Sequence, residues 1–205
     1  MSKIDLSKVS KLINWSSLKL TLHMNSHNAK HRKVFRGQVY ECYLGENIGS
    51  EESKLRPCII LQNDSGNLNS PNTIVAPITN TKGIEKVTVD LEDKYDSDGN
   101  VILTGHILLG NVVTISKARI KGDCIIKLTK EMKEIDEKLM TSVGLIGKFK
   151  KLETSLEKDK QFIKKLNKEK YERENLFRSI MQELDVTNKS DILGKIKELK
   201  ENKED

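Results

Sequence analysis

Residues 45–79, GENIGSEESKLRPCIILQNDSGNLNSPNTIVAPIT, decide the fold. The stretch holds a charged loop, a short apolar run at Cys58-Ile59-Ile60-Leu61, a region rich in Gly, Asn and Pro, and a second apolar run from Thr73 to Ile78. Short continuous apolar runs bounded by turn formers are expected as strands covered on both faces. A carboxylate (Glu51), a guanidinium (Arg56) and a hydroxyl (Thr79) each lie beside one of these rigid runs. No other segment combines reactive groups with rigid support so closely.

The flanking sequence continues the pattern. Phe35, Val39, Tyr40, Cys42 and Tyr43 predict a strand, and Val87, Val89 and Leu91 alternate as on a strand with one exposed face. Ser97-Asp98-Gly99-Asn100 is a turn signal, and residues 101–103, 107–109, 112–115 and 124–128 supply further short β runs. Many short strands with Gly, Asn and Asp between them predict a small barrel. Thr129 is placed to cap a helix whose inner face carries Met132, Ile135, Leu139, Met140 and Val143, with Gly144 and Gly147 marking its end.

The two ends differ from this centre. Residues 4–22 space Ile4, Val9, Leu12, Ile13, Trp15, Leu18, Leu20 and Leu22 as an amphipathic helix ending before Asn25. Its stripe is expected to pack on the main domain or a second subunit, a membrane-surface helix being the sharper alternative. Residues 25–33 form a polar, basic linker. From Phe149, heptad spacing places Leu152, Leu156, Ile163, Leu166, Phe177, Ile180 and Leu184 on one seam, interrupted by Asp159, Lys170 and Arg173. A turn at 187–190 follows, with Ser190 expected to cap a last helix bearing Ile192, Leu193, Ile196 and Leu199. The organisation is therefore α+β: a helix and linker over 1–33, a β-barrel domain over 34–147, and a helical, coiled-coil-like extension over 148–205.

Charge is partitioned in the same way. Residues 1–36 hold eight Lys/Arg against one Asp, a net +7, whereas residues 37–147 carry −4 and residues 148–205 carry +3. Basic ends around a mildly acidic centre favour an anionic partner such as nucleic acid, or are simply solvated. Cys42, Cys58 and Cys124 lack metal-ligand spacing, and their odd number argues against a disulfide framework. They are expected as small apolar residues in a reducing cytoplasm. His23, His27 and His31 have no neighbouring carboxylate to complete a ligand set, so neither a metal nor a cofactor is expected. No run approaches the length of a membrane span.

Several motifs, in order and in register, carry a resemblance. They are Arg36-Gly37-x-Val39-Tyr40, then Gly49-Ser50-Glu51-x5-Arg56-Pro57, Gln62-Asn63-Asp64-x-Gly66-Asn67, Ser70-Pro71, Thr73 to Thr79, and Ser142-x-Gly144-Leu145. Over residues 36–145 the chain resembles the MazF/PemK family of toxin endoribonucleases. The resemblance implies an SH3-like β-barrel with a C-terminal helix, a homodimer, and metal-independent, sequence-specific cleavage of single-stranded RNA in a groove. It also implies an antitoxin partner that occupies the groove. The family's catalytic arginine and threonine fall on Arg56 and Thr79, and the motif's acidic residue on Glu51. Gly49, Ser50, Asn63, Asp64, Asn67 and Ser70 fall on positions that shape the RNA-binding groove. Where family members often carry an Arg and an Asp, this chain has Val113 and Ser116, so the contacts from that strand, and with them the cleavage specificity, are expected to differ from the family's.

The implied chemistry is coherent. RNA carries its own nucleophile, the 2′-OH, and in-line attack leaves a 2′,3′-cyclic phosphate and a 5′-OH end. A guanidinium can pair two phosphoryl oxygens with its planar fork, Thr79 can hydrogen-bond a phosphoryl oxygen, and Glu51 can orient Arg56 or take the 2′-OH proton. Read without the resemblance, Arg56 starts a strand in a salt bridge to Glu51 or Glu52, and the Asn and Asp residues form turns. Two competing functions remain: a non-catalytic inhibitor on the same barrel, for example of a topoisomerase, and an assembly protein built on a retired nuclease.

Overall fold

The computed structural model describes residues 5–202. Ile4 of the expected first helix lies outside the described residues. The chain forms two compact units that divide between Ile146 and Gly147.

The first unit is built on seven antiparallel strands: β1 (Gln38–Gly45), β2 (Lys54–Ile60), β3 (Asn72–Thr79), β4 (Thr88–Tyr95), β5 (Val101–Leu108), β6 (Val113–Ser116) and β7 (Ile120–Lys127). Their order is β4-β5-β3-β2-β1-β7, with β6 also paired to β3. β3 is the pivot of the curl. Its first half, Asn72 to Val75, pairs with β6, and its last residues, Ile78 and Thr79, pair with β5. The result is a curled, SH3-like antiparallel sheet.

The two apolar runs of the opening stretch are the centre of this sheet, and they are buried on both faces, as continuous apolar strands require. Ile59, Leu61, Ala76 and Ile78 join Val39, Val89, Ile107 and Leu109 in one cluster. Cys58, Ile60 and Val75, facing the other way, join Tyr40, Cys42, Leu44, Ile115 and Ile120. The first cluster is closed by helix α3 (Met132–Ser142), which inserts the fully buried Ile135 with Met132 and Leu139 beside it. α3 begins later than Thr129, and no side chain caps it. Its position is fixed by Lys94 on β4, whose Nζ lies 2.6 Å from Glu131 Oε1, and by an Arg36–Asp136 ion pair.

Glu131 is mostly buried. Burial pushes its pKa up, and the hydrogen bond and charge of Lys94 outweigh that and hold it below the ordinary glutamate value. A carboxyl depressed in the folded state contributes stability above its unfolded pKa and loses it as pH falls through the folded pKa. Stability should therefore fall with pH below the ordinary glutamate range. Glu131→Gln should flatten that part of the curve, as measured by urea midpoints at successive pH values.

Two segments differ from the sequence expectation. Residues 101–108 form one strand rather than two runs, because Gly105, at φ +115°, carries the chain through in a conformation that L side chains rarely adopt. The Asn63–Ser70 turn region is a short helix, α2 (Asp64–Asn69), opened by the Asn63 side chain, whose oxygen accepts from Gly66 N.

The N-terminal helix α1 spans Leu6–Met24 and ends at Asn25. Its anchor is Trp15, which lies over Gly45 of β1 and under the Arg119 guanidinium, 5.3 Å from the ring centroid. Leu18 and Leu22 of its stripe are half-buried, whereas Leu12, Ile13 and Leu20 are all more than half exposed. A Cβ on Gly45 would meet the Trp15 ring at 2.8 Å, at a φ of +109°. Gly45→Ala is expected to lift the helix. Because Trp15 is the chain's single tryptophan, a red-shifted emission maximum would report it directly.

The second unit is helical. It consists of α4 (Ile146–Glu183), a turn over Lys189–Asp191, and α5 (Ile192–Glu201), which buries Ile192. Lys189 ties the turn to α4, its Nζ 5.0 Å from the Phe177 ring centroid and 3.7 Å from Glu174 Oε1. Ser190 does not cap α5; its hydroxyl donates to Asp191. Along α4 the seam residues Leu152, Leu156, Ile163 and Leu166 are exposed. No helix among the described residues is long and apolar enough to cross a membrane.

Candidate active site

β2 and β3 are neighbours, with Cys58 opposite Pro77. Continuing that register by two residues sets Arg56 opposite Thr79, at the end of the hairpin away from α2. Their side chains meet: Arg56 Nη1 donates to Thr79 Oγ1 at 3.1 Å. Arg56 Nε donates to the Ser53 carbonyl at 3.0 Å, which leaves the outer guanidinium N–H groups facing a cleft of about 470 Å³. Pro57, Asn80, Thr81 and residues 101–104 line the rest of it.

Thr79 is buried but for its edge on this cleft. Its oxygen accepts from Arg56 and, at 3.4 Å, from Thr81 N. A hydroxyl has two acceptor positions and one proton. With both acceptor positions used by the protein, the proton is left to donate to something in the cleft. Gly105 of β5 packs against this same point. A Cβ there would lie 2.5 Å from the Thr79 carbonyl oxygen, so only glycine lets β5 close on β3 beside the hydroxyl.

The acid beside Arg56 is Glu52. Its Oε2 lies 2.9 Å from Arg56 Nε. The Nε–H is aimed at Ser53 O, so the contact is an ion pair without a hydrogen bond, and Glu52 Oε2 is buried with no donor. Glu51, one residue earlier, is exposed, and its carboxylate accepts from Ile48 N at 3.2 Å, closing the loop. Glu51, Glu52 and Ser50 line a second cleft of about 620 Å³, with Asn111, Val113 and Arg119 on its far wall. Gly49 and Ser50 are exposed in the same loop.

The remaining expected groove residues are not brought to Arg56. Asn63, Asp64, Asn67 and Ser70 sit at the other end of β2 and β3, about 20 Å away by six strand positions. Their polar groups are committed locally. Asn63 caps α2, Asp64 accepts from Arg36 N at 2.7 Å, and Ser70 Oγ accepts from Asn72 N at 3.0 Å. Asn67 is 0% exposed; its amide donates to Gln62 O at 2.8 Å, its oxygen accepts from Thr73 Oγ1 at 2.8 Å, and its carbonyl accepts from Lys117 Nζ. Lys117 is itself 1% exposed, and burial pushes its pKa down.

The salt bridge to Arg56 falls to Glu52, one of the two acids the sequence offered for it. Sequence reading did not single out Asp90 of β4 and His106 of β5, joined by a 2.8 Å contact between His106 Nδ1 and Asp90 Oδ1. His106 is the register partner of both Asp90 and Thr79.

Comparison with known proteins identifies the family. A family model described as "PemK-like, MazF-like toxin of type II toxin-antitoxin system" matches residues 35–143. The endoribonuclease MazF of Staphylococcus saprophyticus is 37% identical over 113 residues, 54% of this chain and 91% of that protein. Among solved structures, a mycobacterial endoribonuclease in complex with its cognate antitoxin is 26% identical, covering 55% of this chain and 96% of that one with a TM-score of 0.45. MazF from Deinococcus radiodurans is 15% identical, covering 55% and 98%, with a TM-score of 0.48. The family model spans just over half of the chain and includes every residue of the Arg56–Thr79 cleft: this protein belongs to the PemK-like, MazF-like toxins of type II toxin–antitoxin systems.

Proposed function

We propose that the protein is the toxin of a toxin–antitoxin pair and a metal-independent, sequence-specific endoribonuclease that cleaves single-stranded RNA in the Arg56–Thr79 cleft. The observation that carries this reading is the 3.1 Å Arg56–Thr79 bond, which points free guanidinium donors and one hydroxyl proton into the same space. Negative charge builds on the phosphoryl oxygens as the 2′-oxygen attacks phosphorus. Fixed donors placed where charge develops stabilise that state more than the bound substrate. Arg56 supplies a forked cation to two of these oxygens, and Thr79 donates its remaining proton.

Glu52 acts on Arg56 from behind, holding the guanidinium by its inner edge. Glu52→Ala is expected to lower cleavage about 10²-fold through misplacement of the fork. Glu51→Ala, which removes only a loop cap, should change it little. Parallel single-turnover rates on one RNA compare the two, and equal losses would contradict the assignment.

The relation to the family supports a homodimer and an antitoxin that competes with RNA. Attraction of RNA is assigned in part to the basic N-terminal segment, which predicts binding that weakens as salt rises. The test is incubation of the purified full chain with a long single-stranded RNA in EDTA, with cut sites mapped by primer extension. Cuts at a short recurrent sequence, abolished in Thr79→Ala, are expected. An intact RNA in the presence of folded protein would instead favour a binding inhibitor on the same barrel.

A further inference from the structure

The cleft as described stabilises charge but assigns no group to take the proton from the 2′-OH. Glu51 is turned into its own loop, and Glu52 is spent on Arg56. One titratable side chain stands next to Thr79 with no part in that reading. Thr79 on β3 and His106 on β5 are register partners, as are His106 and Asp90 on β4. Directly opposed residues on antiparallel strands project from the same face, with Cβ atoms about 4.5–5.5 Å apart. Ile78, Ile107 and Val89, the adjacent positions, point into the core. Arg56, Thr79, His106 and Asp90 therefore form one row across four strands on the opposite face.

The row has a built-in polarity. His106 Nδ1 contacts Asp90 Oδ1 at 2.8 Å, and Lys82 Nζ holds the other carboxylate oxygen at 3.0 Å. These hydrogen bonds, Lys82 first and His106 second, hold the Asp90 pKa below its ordinary value, so the carboxylate is ionised. An ionised carboxylate only accepts, and the bonded Nδ1 therefore carries the proton. That tautomer leaves the lone pair on Nε2, which has no hydrogen-bond partner among the described residues. The charged groups facing the ring are Asp90 and Lys82 on one side and, beyond Thr79, Arg56 on the other.

We propose that His106 is a further catalytic residue of this site, the general base that accepts the 2′-OH proton on Nε2, with Asp90 as its positioning residue. The inference rests on the ribonuclease reading above. In the step it describes, the 2′-oxygen forms a bond to phosphorus as the bond from phosphorus to the 5′-oxygen breaks. The 2′-OH proton passes to Nε2, and the departing 5′-oxygen takes a proton from water. The imidazolium, steadied by Asp90, then returns its proton to solvent.

The competing account makes His106–Asp90 an ordinary cross-strand pair that ties β4 to β5. Single-turnover cleavage of one defined RNA by the full chain, across a range of pH, separates the two, with RNA affinity measured alongside. His106→Gln is expected to lose about 10²–10³-fold in rate at saturating protein, with affinity unchanged and the acid limb of the pH–rate profile gone. Asp90→Asn should lose less and displace that limb. Added imidazole should partly restore His106→Ala, which a tie between strands would not allow. A His106→Gln protein with wild-type rate and pH profile overturns the inference. So does a loss matched by a lower urea midpoint in both His106 variants and unrelieved by imidazole. If wild type cuts, Arg56→Ala does not, and the His106 variants cut normally, only this inference fails. If wild type leaves RNA intact, the ribonuclease reading falls and takes the inference with it.

Discussion

Arg56→Ala is expected to lower RNA cleavage by about 10²–10³-fold, the loss that follows removal of a preorganised donor from a site of developing negative charge. The figure is set by geometry. Arg56 is tied down on its inner side by Ser53 O and Glu52 and on one outer nitrogen by Thr79, so its remaining donors enter the cleft in a fixed orientation. Arg56→Lys should recover little, because an ammonium keeps the charge but loses the planar fork and the bond geometry to Thr79. The fold should survive either change. Arg56 is about one-third exposed, so its ion pair with Glu52 is partly screened and its loss costs on the order of 1 kcal/mol. Retained urea midpoints with lost cleavage would place the effect in the chemistry. In a host cell the same variant should no longer arrest growth.

Asn67→Ala is expected to do the reverse, costing about 2–5 kcal/mol of stability while leaving the affinity of the folded protein for RNA unchanged. The side chain is wholly buried and bridges the Gln62 carbonyl and the Thr73 hydroxyl. Truncation strands both partners away from water, and each buried unsatisfied group costs about 1–3 kcal/mol. The bond from Lys117 Nζ goes to the Asn67 backbone carbonyl and persists in the variant, so the measured change isolates the amide. Urea unfolding at constant slope gives the number. A drop in RNA affinity without loss of stability would instead place Asn67 in the groove.

The barrel was legible because its strands are short, apolar and punctuated, and burial on both faces leaves a signal in composition as well as period. The motifs pointed to Arg56 and Thr79 together, and the two side chains do meet. What the sequence hid depends on register and on loop conformation. Glu51 and Glu52 are neighbours with the same side chain, and only the path of the loop into β2 decides which one reaches Arg56. Asn63, Asp64, Asn67 and Ser70 lie in the same stretch as Arg56, yet a strand carries them about 20 Å away. Lys117 carries no sequence signal of burial, because charged side chains are rarely buried without a partner, and its partner is a backbone carbonyl 50 residues upstream. His106 is a lone histidine in a strand, an unremarked residue until pairing sets it between Asp90 and Thr79. Likewise the apolar stripe of α1 was visible, but not that Trp15 would seat it over Gly45 and under Arg119.

The most direct test of the central claim is the chemistry of the ends that the protein leaves on RNA in EDTA, read by mass spectrometry of short cleaved oligonucleotides. Attack by the RNA's own 2′-oxygen within the Arg56–Thr79 cleft predicts a 2′,3′-cyclic phosphate on one fragment and a 5′-OH on the other, with a single 2′-deoxy substitution at the cut nucleotide blocking cleavage. A 5′-phosphate and a 3′-OH, or unimpeded cutting at the 2′-deoxy position, would contradict the account.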